Sequence, residues 1–390
     1  MLPPELLREI LSRLPAKSLL RFRCISKSWC RMIDSPDLIK LHLNQSSKSY
    51  SNHTLILTET GFNFHMLDLG LLDKPKKAHV SKTPFLCEEI DGISNTCNGL
   101  VVITAETFGP LALWNPFLRK NRIFPDSPSK PEDPYHFPNV LYGLGYDSRN
   151  DDYKVVRNFE CKDIRTHQLV FSKTEVYTFQ SNVWKEVQPF PSSLSITSQL
   201  WVGQVNGALH MLCTDNSGGS KIVGFSVENE IYFEIIFPLS IRTKNVMGLH
   251  LLGDCLSIDI IDKSQINIWV MKEYGVQDSW INLISIANLI RMDHTDSFKP
   301  LIYSEDGLKV LLYHNGSKFV WYDLKKKTME KLEVGGVPFL IDLELCVQSL
   351  VFPVGPRGSS EVKKNGQQMK EKKVKQRRDD FLSKGFKLKL

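Results

Sequence analysis

The hydrophobic rhythm of the chain changes near residue 53. Before it, apolar positions recur at helical spacing: Leu6, Leu7, Ile10, Leu11 and Leu14 form one broad stripe. Pro3 and Pro4 suit the start of a helix, because a proline in the first turn gives up an amide that would be unpaired anyway, and Glu5 follows where negative charge is favoured. Pro15 predicts the end of that helix, since the residue before a proline is pushed out of helical angles. Ala16, Leu19, Leu20 and Cys24 predict a second short helix. Ser26 caps a third that puts Trp29 and Ile33 on one face. Ser35-Pro36-Asp37 is a further start signal, ahead of Leu38, Ile39, Leu41 and Leu43. These helices carry more apolar surface than they can bury among themselves. Either they pack on the rest of the chain as an ordinary subdomain, or a partner completes them.

After residue 53 the rhythm is that of short strands. One unit recurs, an aromatic-rich strand followed by a polar turn and a returning strand. It spans 111–116 to 122–124, 174–179 to 183–187, 222–227 to 231–236, 266–270 to 280–283 and 319–324 to 329–332. The units begin near 111, 174, 221, 266 and 318, so successive starts lie 63, 47, 45 and 52 residues apart. Propeller blades run to about 40–50 residues, and the proline-rich and charged stretch 125–138 accounts for the long first interval. Strands from 53–69 and 339–352 supply what these copies lack, and joining the two ends in one blade closes the ring. The fold class expected is a small all-α module followed by an all-β propeller, kelch-like with six or seven blades, and a basic C-terminal tail. A β-sandwich with long loops is the alternative. The boundaries are 1–44, 45–354 and 355–390.

Charge changes this picture in one respect. The net charge is +6, but residues 357–390 hold twelve Lys or Arg against four Asp or Glu, leaving the other residues at about −2. A near-neutral body does not point to nucleic acid. No apolar run has the length of a membrane span, and prolines and acids near the first residue do not read as a leader. The eight cysteines stand singly, with no Cys-x-x-Cys pair and no histidine pair at zinc spacing, so buried free thiols and no metal site are expected. Gly143-Leu-Gly145 lacks the third glycine of a nucleotide fingerprint and reads as a turn between sheet elements. Glu88-Glu89 and Asp151-Asp152 read as solvated turns. No nucleophile elbow, phosphate loop or His-Glu-x-x-His motif is present, so no catalytic residue and no cofactor are expected. In the tail, Lys372, Lys373, Lys375, Arg377 and Arg378 form a nuclear-import candidate, with a solvated charged tail as the equal alternative.

The amino-terminal block resembles the plant form of the F-box. The match runs through Leu2-Pro3-Pro4-Glu5-Leu6, Ile10-Leu11-Ser12-Arg13-Leu14-Pro15 and Leu19 to Trp29, with Cys30 where arginine is commoner. The resemblance implies docking on the Skp-type adaptor of cullin-based ubiquitin ligases. It places Leu2, Pro3, Pro4, Ile10, Leu14, Pro15, Leu19, Cys24 and Trp29 at or near that interface. The body resembles the F-box-associated interaction domain of plant proteins, most clearly over 141–156, with Trp114-Asn115-Pro116 and 269–280 in support. The ending is similar to the plant F-box type that restrains constitutive expression of pathogenesis-related genes, whose substrates are intracellular immune receptors.

The function implied is that of a non-catalytic substrate receptor. It would join adaptor and, through it, cullin to a protein substrate for ubiquitination and degradation, in cytoplasm and nucleus, and so damp plant defence. A propeller that binds a small ligand or sugar, and a scaffold that does not promote degradation, are the alternatives.

Overall fold

The computed structural model describes residues 3–59, 64–72, 81–83, 92–104, 111–125, 127–129, 136–166, 169–197, 200–238, 241, 246–262, 265–287, 298–314, 318–335, 337 and 340–353. The import candidate, Leu2 and Glu88-Glu89 lie outside these residues.

Four helices come first: α1 (Pro4–Ser12), α2 (Ala16–Phe22), α3 (Lys27–Ile33) and α4 (Pro36–Lys48). Their ends obey local chemistry. Pro4 sits in the first turn of α1 and Pro15 separates α1 from α2. The Ser26 hydroxyl accepts from the Trp29 amide at 3.2 Å, and the Ser35 hydroxyl accepts from the Leu38 amide at 3.4 Å. α4 runs four residues past the expected boundary at 44. His42 and Ser46 are fully buried and give this end of the helix an inward face.

Blade one contributes β1 (His53–Glu59), β2 (Phe64–Asp68) and β3 (Ser81–Thr83), and blade two β4 (Gly92–Cys97), β5 (Leu100–Thr104), β6 (Leu111–Asn115) and β7 (Lys120–Phe124). Blade three has β8 (His136–Asp147), β9 (Asp152–Asp163), β10 (Leu169–Thr178) and β11 (Val183–Val187). Blade four has β12 (Leu194–Ile196), β13 (Val202–Val205), β14 (Ala208–Asp215), β15 (Ser220–Ser226) and β16 (Tyr232–Ile235). Blade five is β17 (Val246–Leu252), β18 (Cys255–Asp262), β19 (Gln265–Met271) and β20 (Trp280–Ile286), and blade six β21 (Phe298–Tyr303), β22 (Lys309–His314), β23 (Lys318–Asp323) and β24 (Thr328–Leu332). β25 (Leu340–Val347) returns to blade one and pairs antiparallel with β1, His53 opposite Val347 and Ile56 opposite Glu344. Among the described residues the strands therefore form six antiparallel sheets, and the blade that holds both ends closes the ring. Each repeated hairpin in the sequence is the outer strand pair of one blade, from β6–β7 to β23–β24.

Apolar side chains fill the spaces between neighbouring blades. Leu113 and Phe124 of blade two meet Tyr177, Phe179 and Trp184 of blade three, and Leu55 and Leu57 of blade one meet Leu311 and Phe319 of blade six. Gly143 and Gly145 lie inside β8, opposite Val156 and Lys154, and not in a turn. A Cβ on Gly143 would stand 2.8 Å from the Trp201 ring, and one on Gly145 2.6 Å from Val227. The glycines let blade four press against blade three, a contact that local sequence cannot report. Asp152 is likewise buried rather than solvated, accepting from the Tyr153 and Gln180 amides at 2.8 and 3.1 Å.

Candidate adaptor-docking and substrate-binding surfaces

The helical module presents two apolar faces. In α1, Leu7 and Leu11 point inward, while Leu6 and Ile10, one helical turn apart, are 53% and 48% exposed. Leu11, Ala16, Leu19, Ile33 and Leu38 form the inner core. That core is completed from the propeller: Leu350, three residues beyond β25, is buried within it, and Phe117 and Leu118 of the β6–β7 turn pack against it. The outward face has no such cover. Pro3, Pro4, Pro15, Cys24 and Ile25 are also exposed, and Leu14 and Trp29 are half-buried, packed against the inner core. Trp29 stands edge-on to Phe22 with ring centres 5.7 Å apart. Leu19 is the exception among the residues expected at this surface. It is fully buried and supports the face from beneath.

Polar contacts hold the module to its base. The buried His42 ring nitrogen Nε2 lies 3.0 Å from the Leu14 carbonyl, and burial pulls its pKa down. Arg23 donates to Asp34 at 2.8 Å, linking α2 to the end of α3. Lys40 donates to Asp151, in the β8–β9 turn, at 2.7 Å, which with Tyr146 lowers the Asp151 pKa. This last pair is exposed at both partners and contributes little to stability.

The module marks one end of the propeller. The turns β6–β7 and β8–β9 lie against it, so the β9–β10 and β14–β15 turns, at the other ends of antiparallel strands, belong to the opposite face. The inner strands are tied by side chains that imitate a strand partner. The Asn95 amide exchanges two bonds of 2.9 Å with the Leu144 backbone, and the Gln204 amide exchanges two of 2.7 Å with that of Tyr146. Thr96 donates to the Leu345 carbonyl at 2.6 Å.

Between these strands lies a cavity of about 650 Å³, reaching from the centre of the ring to the β14–β15 turn. Leu249, Leu251, Leu301 and Trp201 give it apolar walls, and Lys299, Asp342 and Glu344 give it charge. The Lys299 ammonium donates to the Leu343 carbonyl at 2.7 Å and to Glu344 at 3.1 Å, and stands 3.9 Å from Asp342. Burial raises both carboxylates, with Lys299 acting against the rise. For Lys299 burial works downward, but the two carboxylates outweigh it and its pKa is raised. With Lys299 charged and both carboxylates ionised, this trio carries one excess negative charge. On the wall, His250 lies 3.0 Å from Asp259. Such a cavity can hold a side chain or small group; among the described residues no set of His, Cys, Asp or Glu is arranged to hold a metal ion. Among the described residues seven cysteines are free, and four of these, Cys97, Cys161, Cys213 and Cys346, are buried.

Sequence reading picked out the apolar stripe of the first helices but missed its support and the charged cavity. Leu350 follows the last strand without any periodic pattern, and Lys299, Asp342 and Glu344 come from two strands distant in sequence. Trp114-Asn115-Pro116 was the one signal, since its asparagine begins the turn that carries Phe117 and Leu118.

Comparison with known proteins agrees with this architecture. The family profile described as F-box domain matches residues 1–41, and the one described as F-box associated beta propeller domain matches residues 52–352. The chain is 33% identical to F-box protein CPR1 of Arabidopsis thaliana over 413 aligned positions, covering 99% of each chain. It is 30% identical to F-box/kelch-repeat protein At3g23880 of the same plant, covering 80% of this chain and 85% of the relative. A helical module with an open apolar face, seated on a six-bladed ring and matched at both profiles, places this chain in the family of F-box proteins that carry an F-box-associated β-propeller.

Proposed function

We propose that this protein is the substrate-receptor subunit of a Skp-cullin-F-box ubiquitin ligase. The observation that carries the reading is the outward apolar face of α1–α3. Its inner counterpart is already filled by Leu350, Phe117 and Leu118, so the exposed Leu6, Ile10 and Ile25 are left for a second protein. The adaptor, and through it cullin, docks there. The propeller face opposite the helices holds a protein substrate, with the cavity around Lys299, Asp342 and Glu344 at its centre. The protein itself contributes no bond-making chemistry. It raises the local concentration of substrate beside the ubiquitin-charged enzyme. The similarity of the ending to the defence-restraining F-box type extends the proposal to intracellular immune receptors as substrates, in cytoplasm and nucleus.

The test is a pull-down of the full chain with a plant Skp-type adaptor. Wild type is expected to bind, and Ile10→Glu to reduce binding by at least about tenfold, because a charge would be desolvated at the centre of an apolar contact. Unchanged binding by Ile10→Glu would exclude this face as the docking site. Proteins that accumulate when cullin is inhibited, and that bind wild type but not Lys299→Glu, identify the substrate and its surface. If no such protein exists but the partner set still depends on residue 299, the receptor is a scaffold.

A further inference from the structure

Asn115 is fully buried and uses all of its side chain. Its Nδ2 donates to the carbonyls of Ser349 at 3.1 Å and Val351 at 2.8 Å. Its Oδ1 accepts from the amides of Phe117 at 2.9 Å and Leu118 at 3.0 Å. One side chain thus joins two segments distant in sequence, the β6–β7 turn and the stretch after β25, which also meet where Lys120 lies over the Phe352 ring. Both deliver the residues that complete the helical core: Phe117 and Leu118 from the first, Leu350 from the second. The second segment is braced further. The Ser349 hydroxyl accepts from the Val351 amide at 2.9 Å, and the Gln348 amide donates to the Asn52 carbonyl, just beyond α4, at 2.8 Å.

We infer that Asn115 is a positioning residue, which fixes the seat of the F-box and so sets the orientation of the docking helices relative to the substrate face of the propeller. This rests on the receptor reading above. The physical reason is orientation. Two domains joined by a linker move relative to each other by default, which spreads a bound substrate over many positions. Here a buried amide holds the β6–β7 turn by two hydrogen bonds and the segment after β25 by two more, a network that loses its benefit if one partner goes. The blade ladder does not explain the arrangement. Asn115 pairs with Lys120 at the end of β6–β7, and the carbonyls it reaches lie beyond the last strand.

The test uses the full chain alone, with spin labels carried by non-canonical residues at position 27 in α3 and position 217 in the β14–β15 turn at the opposite face. Wild type is expected to give a narrow distance distribution. Asn115→Ala and Leu350→Ala are each expected to broaden it by about twofold or more, because they release the junction. In the same samples, hydrogen exchange should stay within about twofold of wild type in β5, β14 and β18, while the Phe117 and Leu118 amides lose protection. A distribution of wild-type width in both variants overturns the inference. So does broadening that comes only with loss of protection in the blade strands, which would make Asn115 a stabiliser of the ring. Because neither adaptor nor substrate is present, this result is independent of the pull-down. A protein that fails to bind adaptor can still show the seat, and one that binds can lack it.

Discussion

At the scale of single residues, burial decides what titrates. His210, on β14, is buried, with Nε2 2.7 Å from the hydroxyl of Tyr274 in the neighbouring blade, and burial lowers its pKa from the ordinary 6.5 to about 3. His42 in α4 shifts in the same direction for the same reason. The unfolded chain takes up protons on both near pH 6.5 and the folded chain resists, so acid favours unfolding. For His210 this contribution is complete above about 6.5 and is lost as pH falls from there toward 3. The raised carboxylates Asp342 and Glu344 act with the opposite sign, so the histidine effect is isolated by difference. Urea midpoints measured over this window should fall more steeply for wild type than for His210→Gln. Parallel curves would remove His210 from the account. None of this is visible in the sequence, where these histidines are merely scattered.

At the scale of elements, what is local was legible and what is paired at a distance was not. The caps Ser26 and Ser35, the break at Pro15 and the outer hairpins of five blades follow from neighbouring residues, and the structure has each of them. Gly143 and Gly145 were misread because their reason stands in another blade, in Trp201 and Val227. α4 continues past residue 44 to Lys48, with His42 and Ser46 buried on its inner side. β25 is the element on which most depends, since it pairs with β1 and lines the cavity. Leu343→Pro should remove the amide that donates to the Asp342 carboxylate at 2.7 Å and restrict the backbone of β25, which loosens its pairing with β1. Hydrogen exchange should then show β1 losing protection ahead of β14 and β18. Simultaneous loss throughout would mean that the ring opens as one unit and not at its closure.

At the scale of the molecule, the helical module and the ring share a core, and this alters how the apolar excess of the first helices is understood. Part of that excess is satisfied within the chain by Leu350, Phe117 and Leu118, and part is left exposed. A segment of about forty residues is near the lower limit for folding alone, and this one also lacks its plug when cut out. A peptide of residues 3–48 is therefore expected to show little helix by circular dichroism in water, with helix recovered on adding a Skp-type adaptor. Cooperative folding of the isolated peptide would show the propeller contact to be dispensable for the module. Sequence alone determined the two rhythms, the helix ends, the blade repeat and the apolar stripe of the first helix, because each depends on residues within a turn or a hairpin of one another. Only the tertiary structure decided that the blades number six and not seven, the charged cavity and the seat built on Asn115 and Leu350. Those join residues that are far apart along the chain and carry no shared pattern until the ring brings them together.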